Sequence, residues 1–379
     1  MTMTSKNIKA TNAEPRYVQI ASDIKAVIES GELKPGDAVT SERKLAQNYA
    51  VSYDTIRKAV QSLVNEKLLE KIHGKGIFVI DPSKAKNKKI GVLVPTLTLS
   101  YYADMVDVMQ KLVINQHYEF SLISRKTPEG IMDYNKLEMF LKNTKLDGLL
   151  IAGELMKEFY EKLRETLPDM QMIFLDGRVT GEEVNFIKFD DESGAFAATE
   201  HLLRQGRKHV LFIDGGRGYI NSDQRERGYL AAMQKYNMEP QVKYSAGFDY
   251  DSGYNAMREI LAEGQTPDAI FCVTDLAAMG AMQALTEHNI TIPTQVAVVG
   301  FSDLREAHFT RPPISSVKVD VKEISRLAVD EIIDKIEGRS KSLWQVIFPT
   351  HLIVRESSSV KLLSIKQTKQ PKQTEGVLV

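Results

Sequence analysis

Cysteine is nearly absent. One residue in 379, Cys272, excludes an internal disulfide framework and suits a reducing cytosol. No apolar run approaches the ~18 residues that cross a bilayer, so no membrane partner is expected. The opening stretch MTMTSKNIKATNAEPRY has no apolar core of a secretory signal. The chain therefore reads as cytoplasmic. Seven scattered histidines show no metal-ligand spacing. GGRG at 215–218 lacks the lysine and Ser/Thr of a P-loop and the spacing of a dinucleotide fingerprint, so it reads as a loop. No Ser/His/Asp constellation stands out. Catalysis has no positive support, and no cofactor is implied.

What is present divides unevenly. The net charge of −1 hides 16 basic against 10 acidic residues in 1–89, and 33 against 40 beyond. A basic small domain before an acidic large one suits phosphate contacts by the first part alone. In that part, Tyr17, Ile20, Ala21, Ile24 and Ile28 recur at helical spacing, then GELKPGD (31–37) turns the chain. Leu45, Ala46 and Tyr49 give one short apolar face. Ile56, Ala59, Val60, Leu63 and Val64 give a second at i, i+3, i+4, i+7, i+8. Ser52 precedes the second helix as its N-cap, with Asp54 and Thr55 in the first turn. This is the outline of a helix-turn-helix, whose second helix offers its N-terminal residues to base edges in a major groove. LLEKIHGKGIFVI then reads as strand, glycine turn, strand: a wing.

These residues carry a resemblance. SERKLAQNYAVSYDTIRKAV followed by GKGIFV resembles the winged-helix domain of the GntR family of bacterial transcription regulators. The chain keeps Ser41, Glu42, Arg43, Leu45, Ala46, Val51, Ser52, Thr55, Arg57 and Ala59 of that pattern. It departs at Thr40, where the family has proline, and at Tyr53, where it has arginine, so the operator is expected to differ from the common one. On this reading Arg43 and Arg57 anchor or read the groove, with Ser52, Tyr53, Asp54 and Thr55 at the start of the recognition helix. Ser41 and Lys75 hold phosphates, and His73 and Gly74 complete the wing contacts. One winged helix covers too little DNA for strong specificity, so a homodimer on a palindromic double-stranded operator is expected.

From Lys89 the rhythm changes. KIGVLVP is a continuous apolar run, as in a strand buried on both faces of a parallel sheet. Strands near 118–124, 147–152, 171–176, 209–213, 268–273 and 296–301 then alternate with helices, the last near 321–337. That alternation implies βαβ units and a doubly wound α/β sheet, and about 270 residues imply two lobes. The expected organisation is a polar, disordered 1–15, a winged helix at 16–80, a lysine-rich linker at 81–88, an α/β domain at 89–358 and a polar tail at 359–379.

The stretches FDDESGAFAATEHLLRQGRKHVLFIDGG, RERGYLAAM, PDAIFCVTDLAAMGAMQAL, VAVVGFSD and PTHLIVRESS look like the two-lobed, periplasmic-binding-protein-like domain of LacI/GalR repressors. The pairing of the two parts is similar to arabinose-responsive repressors of the AraR type. The resemblance implies a transcriptional repressor of carbohydrate genes, released by a sugar such as L-arabinose bound between the lobes. Effector contacts are then expected at the strand ends: Tyr101 and Tyr102, Asp176, Asp190, Arg225 of the Arg225–Gly228 step, Thr274, Asp275 and Ser302. Thr274 stands where the family often has asparagine, and Ser302 where it often has aspartate. An unusual sugar, a sugar phosphate or a non-sugar effector therefore stays open. Each carboxylate could instead cap a helix at a strand-to-helix turn. From another class, an aminotransferase-type C-terminal domain is the alternative, for which the length is short.

Overall fold

The computed structural model describes residues 15–66, 68–72, 76–80, 88–127 and 130–359. The expected disordered N-terminus, the linker and the polar tail lie outside the described residues, apart from one residue at the edge of each. The described chain forms two compact units, 1–88 and 89–379.

The first unit runs α1 (Arg16–Glu29), β1 (Ala38–Val39), α2 (Glu42–Asn48), α3 (Tyr53–Asn65), β2 (Leu69–Ile72) and β3 (Gly76–Val79). Hydroxyl caps start both central helices. Ser41 Oγ accepts from Lys44 N at 3.4 Å and Ser52 Oγ from Thr55 N at 3.3 Å. Between them Ala50 turns the chain at φ +49°, and Val51 N–H donates back to the Ala46 carbonyl. The apolar face of α3 (Ile56, Ala59, Val60, Leu63) closes on Ile20 and Ile24 of α1 and Leu45 of α2, all buried. At roughly 1.5–3 kcal/mol for each large side chain fully buried, these contacts hold a unit that has few helical turns of its own. A small antiparallel sheet in the order β1-β3-β2 supplies the wing.

The second unit begins with β4 (Lys89–Val94), α4 (Ser100–Asn115), β5 (Glu119–Ser124), a short β6–β7 hairpin (Lys126–Thr127 and Gly130–Ile131), α5 (Tyr134–Thr144), β8 (Gly148–Ala152), α6 (Lys157–Thr166), β9 (Gln171–Leu175) and β10 (Phe186–Phe189). A second lobe follows: α7 (Asp191–Arg204), β11 (Val210–Asp214), α8 (Ile220–Lys235), β12 (Gln241–Tyr244), α9 (Tyr250–Ala262), β13 (Ala269–Cys272), α10 (Asp275–Glu287), β14 (Ala297–Ser302) and β15 (Ser315–Lys318). The chain then returns to the first lobe with α11 (Val321–Ile336) and β16 (Gln345–Phe348), and ends in the second with β17 (His351–Ile353). The first sheet, in the order β16-β10-β9-β8-β4-β5, is parallel throughout. The second, in the order β12-β11-β13-β14-β15-β17, is parallel except at β15–β17. The doubly wound, two-lobed α/β architecture is thus present.

The chain crosses between lobes three times, at Asp190, at Val319–Asp320 and at Pro349–Thr350. The first and third crossings are tied together: Asp190 N–H donates to Phe348 O at 2.9 Å, and Thr350 Oγ1 donates to Asp190 O at 3.0 Å. The sequence alone does not show that α11 packs on the first lobe, where Ile332 and Ile336 sit over Gly148. Nor does it mark β16 and β17, which are short and flank the third crossing.

Candidate DNA-reading surface and effector cleft

On the first unit, Ser41, Arg43, Ser52, Tyr53, Asp54 and Arg57 are exposed around the facing starts of α2 and α3. Ser52 and Thr55 are joined to each other, hydroxyl to hydroxyl at 2.8 Å, so their first task is to cap α3. His73, Gly74 and Lys75 lie outside the described residues. Two residues that the sequence did not single out as contacts organise this surface. Glu42 Oε2 accepts from Tyr53 Oη at 2.7 Å, and Glu42 Oε1 accepts from Lys71 Nζ at 2.6 Å. Those bonds and the charge of Arg57 hold the Glu42 carboxyl below the usual range although part-burial opposes them.

In the second unit the carboxyl ends of the two sheets face each other, and polar side chains converge there. Tyr101 and Tyr102 stand on the first turn of α4 and meet edge to face at 5.2 Å. Asp176 follows β9 and accepts from Tyr101 Oη at 2.7 Å. From the second lobe, α8 presents Asn221, Gln224 and Arg225 at i, i+3, i+4, one helix face. Arg225 Nε donates to Asp191 Oδ1 at 2.7 Å and Nη1 to the Val273 carbonyl at 2.7 Å. Its guanidinium lies 3.8 Å from the centre of the Phe301 ring. Three bonds bridge the lobes. Asn221 Nδ2 donates to Asp176 O at 3.1 Å, Lys188 Nζ to Gln224 Oε1 at 2.7 Å, and Ile220 N–H to Glu154 Oε1 at 2.7 Å.

Burial dominates the electrostatics. It pushes Asp176 up to about 7, with the Asp191 charge adding to it and Arg225 opposing. Burial raises Asp191 against the pull of Arg225, and lowers Lys188. The hydroxyls of Tyr101 and Tyr102 are held protonated by burial first and the Asp176 charge second. Three buried oxygens at this place have no partner among the described residues: Asp176 Oδ1, Asp191 Oδ2 and Asn221 Oδ1. Asn221 Oδ1 accepts hydrogen bonds, as do the two carboxyl oxygens in their ionised form.

Tyr101, Tyr102, Asp176 and Arg225 are therefore brought together. Of the other expected contacts, Asp190 and Thr274 cap helices and Asp275 is bonded inside the second lobe. Asp190 caps α7 through Ser193 N at 3.0 Å. Thr274 caps α10, accepting from Ala277 N at 3.1 Å while donating to the Phe248 carbonyl at 2.6 Å. Asp275 is fully buried and accepts from Ser316 Oγ at 2.5 Å and Leu304 N at 2.7 Å, a link inside the second lobe. Ser302 ends β14 at φ +113°. Sequence reasoning missed Lys188, Asp191, Asn221, Gln224 and Glu154. One signal was available: Lys188 interrupts FIKF, a strand otherwise built for burial. Among the described residues no group of His, Cys, Asp and Glu could hold a metal.

Residues 16–79 match the family model for bacterial regulatory proteins of the gntR family, and 199–358 match a periplasmic binding protein-like domain. The lac repressor dimer bound to operator and the anti-inducer ONPF superposes with a TM-score of 0.65 at 21% identity, over 73% of this chain and 96% of that one. The chain thus joins a helix-turn-helix region that matches the gntR-family model to a two-lobed domain that matches a periplasmic binding protein-like model and shares the fold of the lac repressor. A transcriptional regulator CelR–cellobiose complex also superposes at a TM-score of 0.65, with 24% identity over 81% of this chain and 92% of that one. The arabinose metabolism transcriptional repressor of Geobacillus stearothermophilus is 24% identical over 365 residues, 91% of this chain and 98% of its own length. The transcriptional repressor PurR of Histophilus somni strain 129Pt is 27% identical over 273 residues, 71% of this chain and 81% of its own. Among the described residues no helix is long and apolar enough to cross a membrane.

Proposed function

We propose that this chain represses carbohydrate-utilisation genes by binding a palindromic operator as a homodimer, and that a neutral sugar of the L-arabinose kind, held between the lobes of the second unit, releases it. The observation that carries the effector class is the set of unfilled oxygens. A ligand that completes Asn221 Oδ1 donates to it, and sugar hydroxyls both donate and accept, so they pair with Asp176 Oδ1 and Asp191 Oδ2 in either protonation state. The place already balances two buried carboxyl groups against Arg225 and Lys188, so a phosphate dianion would add uncompensated buried charge. The rings of Tyr101 and Tyr102 offer apolar faces to the C–H side of such a ligand. Buried acceptors also discriminate, because an analogue lacking the matching hydroxyl leaves them unpaired. The relative named for arabinose metabolism, aligned over most of both chains, supports the same class.

The homodimer belongs to the proposal because one winged helix covers too little DNA for strong specificity. The cytoplasm is the proposed place of work.

The test is a thermal-shift panel on the full chain with pentoses, hexoses, their phosphate esters and purine bases. A ligand bound only by the folded state adds about 2.7 kcal/mol at a hundredfold excess over Kd. The expected result is a rise in Tm with a free sugar and little or none with its phosphate ester. A rise with phosphate esters alone, or with purines alone, would overturn the assignment.

A further inference from the structure

Tyr53 is the first residue of α3, half exposed, on the helix whose N-terminus enters the major groove. Its hydroxyl has one proton, and that proton is given to Glu42 at 2.7 Å. Glu42 in turn is fixed from its other oxygen by Lys71 on the first strand of the wing, at 2.6 Å, and its side chain is only 15% exposed. One carboxylate therefore ties together the starts of α2 and α3 and the wing. It also places a negative charge at a surface meant for phosphates, which only makes sense where that charge is already neutralised and doing another job.

Resting on the reading of α3 as the recognition helix, we propose that Tyr53 is a specificity-determining residue that selects an A·T pair and rejects guanine, and that Glu42 is its positioning residue. Guanine shows only acceptors, N7 and O6, in the major groove. A hydroxyl whose proton is committed cannot bond to them. The same hydroxyl still has a lone pair free to accept, and adenine N6 and cytosine N4 both donate. The thymine of that pair adds a methyl group that packs on the edge of an aromatic ring. The direction of one hydrogen bond thus excludes guanine at the base the hydroxyl meets, and the thymine methyl favours A·T over a cytosine there. It inverts if the proton is released.

Selection of binding sites from a randomised double-stranded DNA library, with the full chain, tests this. The wild-type protein is expected to enrich a two-fold symmetric motif with one A·T pair in each half-site that changes only in Tyr53 and Glu42 variants. Y53R should convert that pair to G·C, with a preference of about fivefold or more, because arginine bonds bidentately to guanine. E42A frees the tyrosine proton and should let G·C in at that pair while leaving the rest of the motif unchanged. E42Q keeps a carbonyl acceptor for the proton and should keep the A·T preference. A merely structural role would lower stability or affinity uniformly and leave the base preferences of E42A and E42Q alike. Unchanged preferences in Y53R, or a guanine at the Tyr53 pair in the wild type, would overturn the proposal. A wild-type chain that enriches no sequence at all would sink the DNA-reading assignment first, and this inference with it.

Discussion

At the scale of the residue, Arg225 and Asp275 show what a sequence can and cannot say about a cleft. Both stand where effector contacts were expected, and both are buried. Arg225 faces the unfilled oxygens, yet its own bonds go to Asp191 and to the Val273 carbonyl. It is as much the counter-charge that lets two carboxylates be buried as it is a ligand contact. Its partner Asp191 was illegible because FDD offers two adjacent aspartates. Which of them caps α7 and which turns inward is decided by the crossing of the chain, not by local pattern. Asp275 is turned away from the interlobe oxygens towards Ser316 and Leu304, and burial lifts it to about 7, with Asp303 adding to the rise and Arg355 opposing it. A carboxyl raised above its unfolded value of about 3.9 keeps its proton in the folded state when the unfolded chain has lost it. Its cost to stability is therefore absent below about pH 4, grows as pH rises, and is complete above about pH 7. Asp275→Asn carries no such proton. Its stability relative to wild type, from urea unfolding across pH 4–8, should move in favour of the variant as pH rises to about 7 and then level off. The total change is at most about 4 kcal/mol, at ~1.4 kcal/mol per unit. A relative stability that is flat with pH, or that runs the other way, would show that Asp275 is ionised as an ordinary aspartate.

At the scale of the element, helices and strands were legible because each carries its own period. The winged helix was legible to its caps: Ser52 sits where its hydroxyl closes α3, and the apolar positions of α3 are the ones buried. What was not legible is which helices touch, because contact between helices is fixed by small residues whose partners lie elsewhere in the chain. Gly228, the last residue of the Arg225–Gly228 step, is such a point. A side-chain carbon there would press on the backbone carbonyl of Glu192 in α7 and on Ala195 Cβ. The glycine is thus what brings α8 close enough for Arg225 to reach Asp191. Gly253 and Gly280 do the same between α9 and α10, each against backbone of the other helix. Gly228→Ala should cost roughly 1–3 kcal/mol or more from overpacking, measured by urea unfolding. It should also weaken the effector response by displacing α8, whereas the same substitution at exposed Gly206, strained by its φ of +86° but crowded by nothing, should cost stability and spare that response. Equal effects at both positions would mean that the α7–α8 approach plays no part in shaping the cleft.

At the scale of the whole molecule, the two-lobed organisation followed from length and alternation, but the three crossings did not. They depend on α11 and β16 returning to the first lobe, and neither β16 nor β17 is long enough to announce itself. The crossings matter because they allow the lobes to rotate as bodies while the bonds between them change. Three of those bonds, at Asp176–Asn221, Lys188–Gln224 and Glu154–Ile220, span the lobes where the unfilled oxygens lie. An effector seated there alters the same set of contacts that fixes the lobe orientation. Linkage then requires that whatever the effector does to operator affinity, the operator does in equal measure to effector affinity. With the proposed repressor, the full chain should bind its selected operator about 5–150-fold more weakly in saturating sugar, a coupling of about 1–3 kcal/mol. Sugar affinity should fall by the same factor when operator is in excess. Fluorescence anisotropy of labelled operator gives the first factor and calorimetric titration of sugar into the operator complex gives the second. Asn221→Ala removes one bond across the lobes and one unfilled acceptor together, so it should weaken sugar binding. Operator affinity in the absence of sugar depends on the winged helix and should change far less. If sugar tightens operator binding instead, the protein is a sugar-dependent DNA binder and the release mechanism is wrong, while the cleft assignment stands. If sugar binds and operator affinity does not move, the two units are not coupled through this cleft at all.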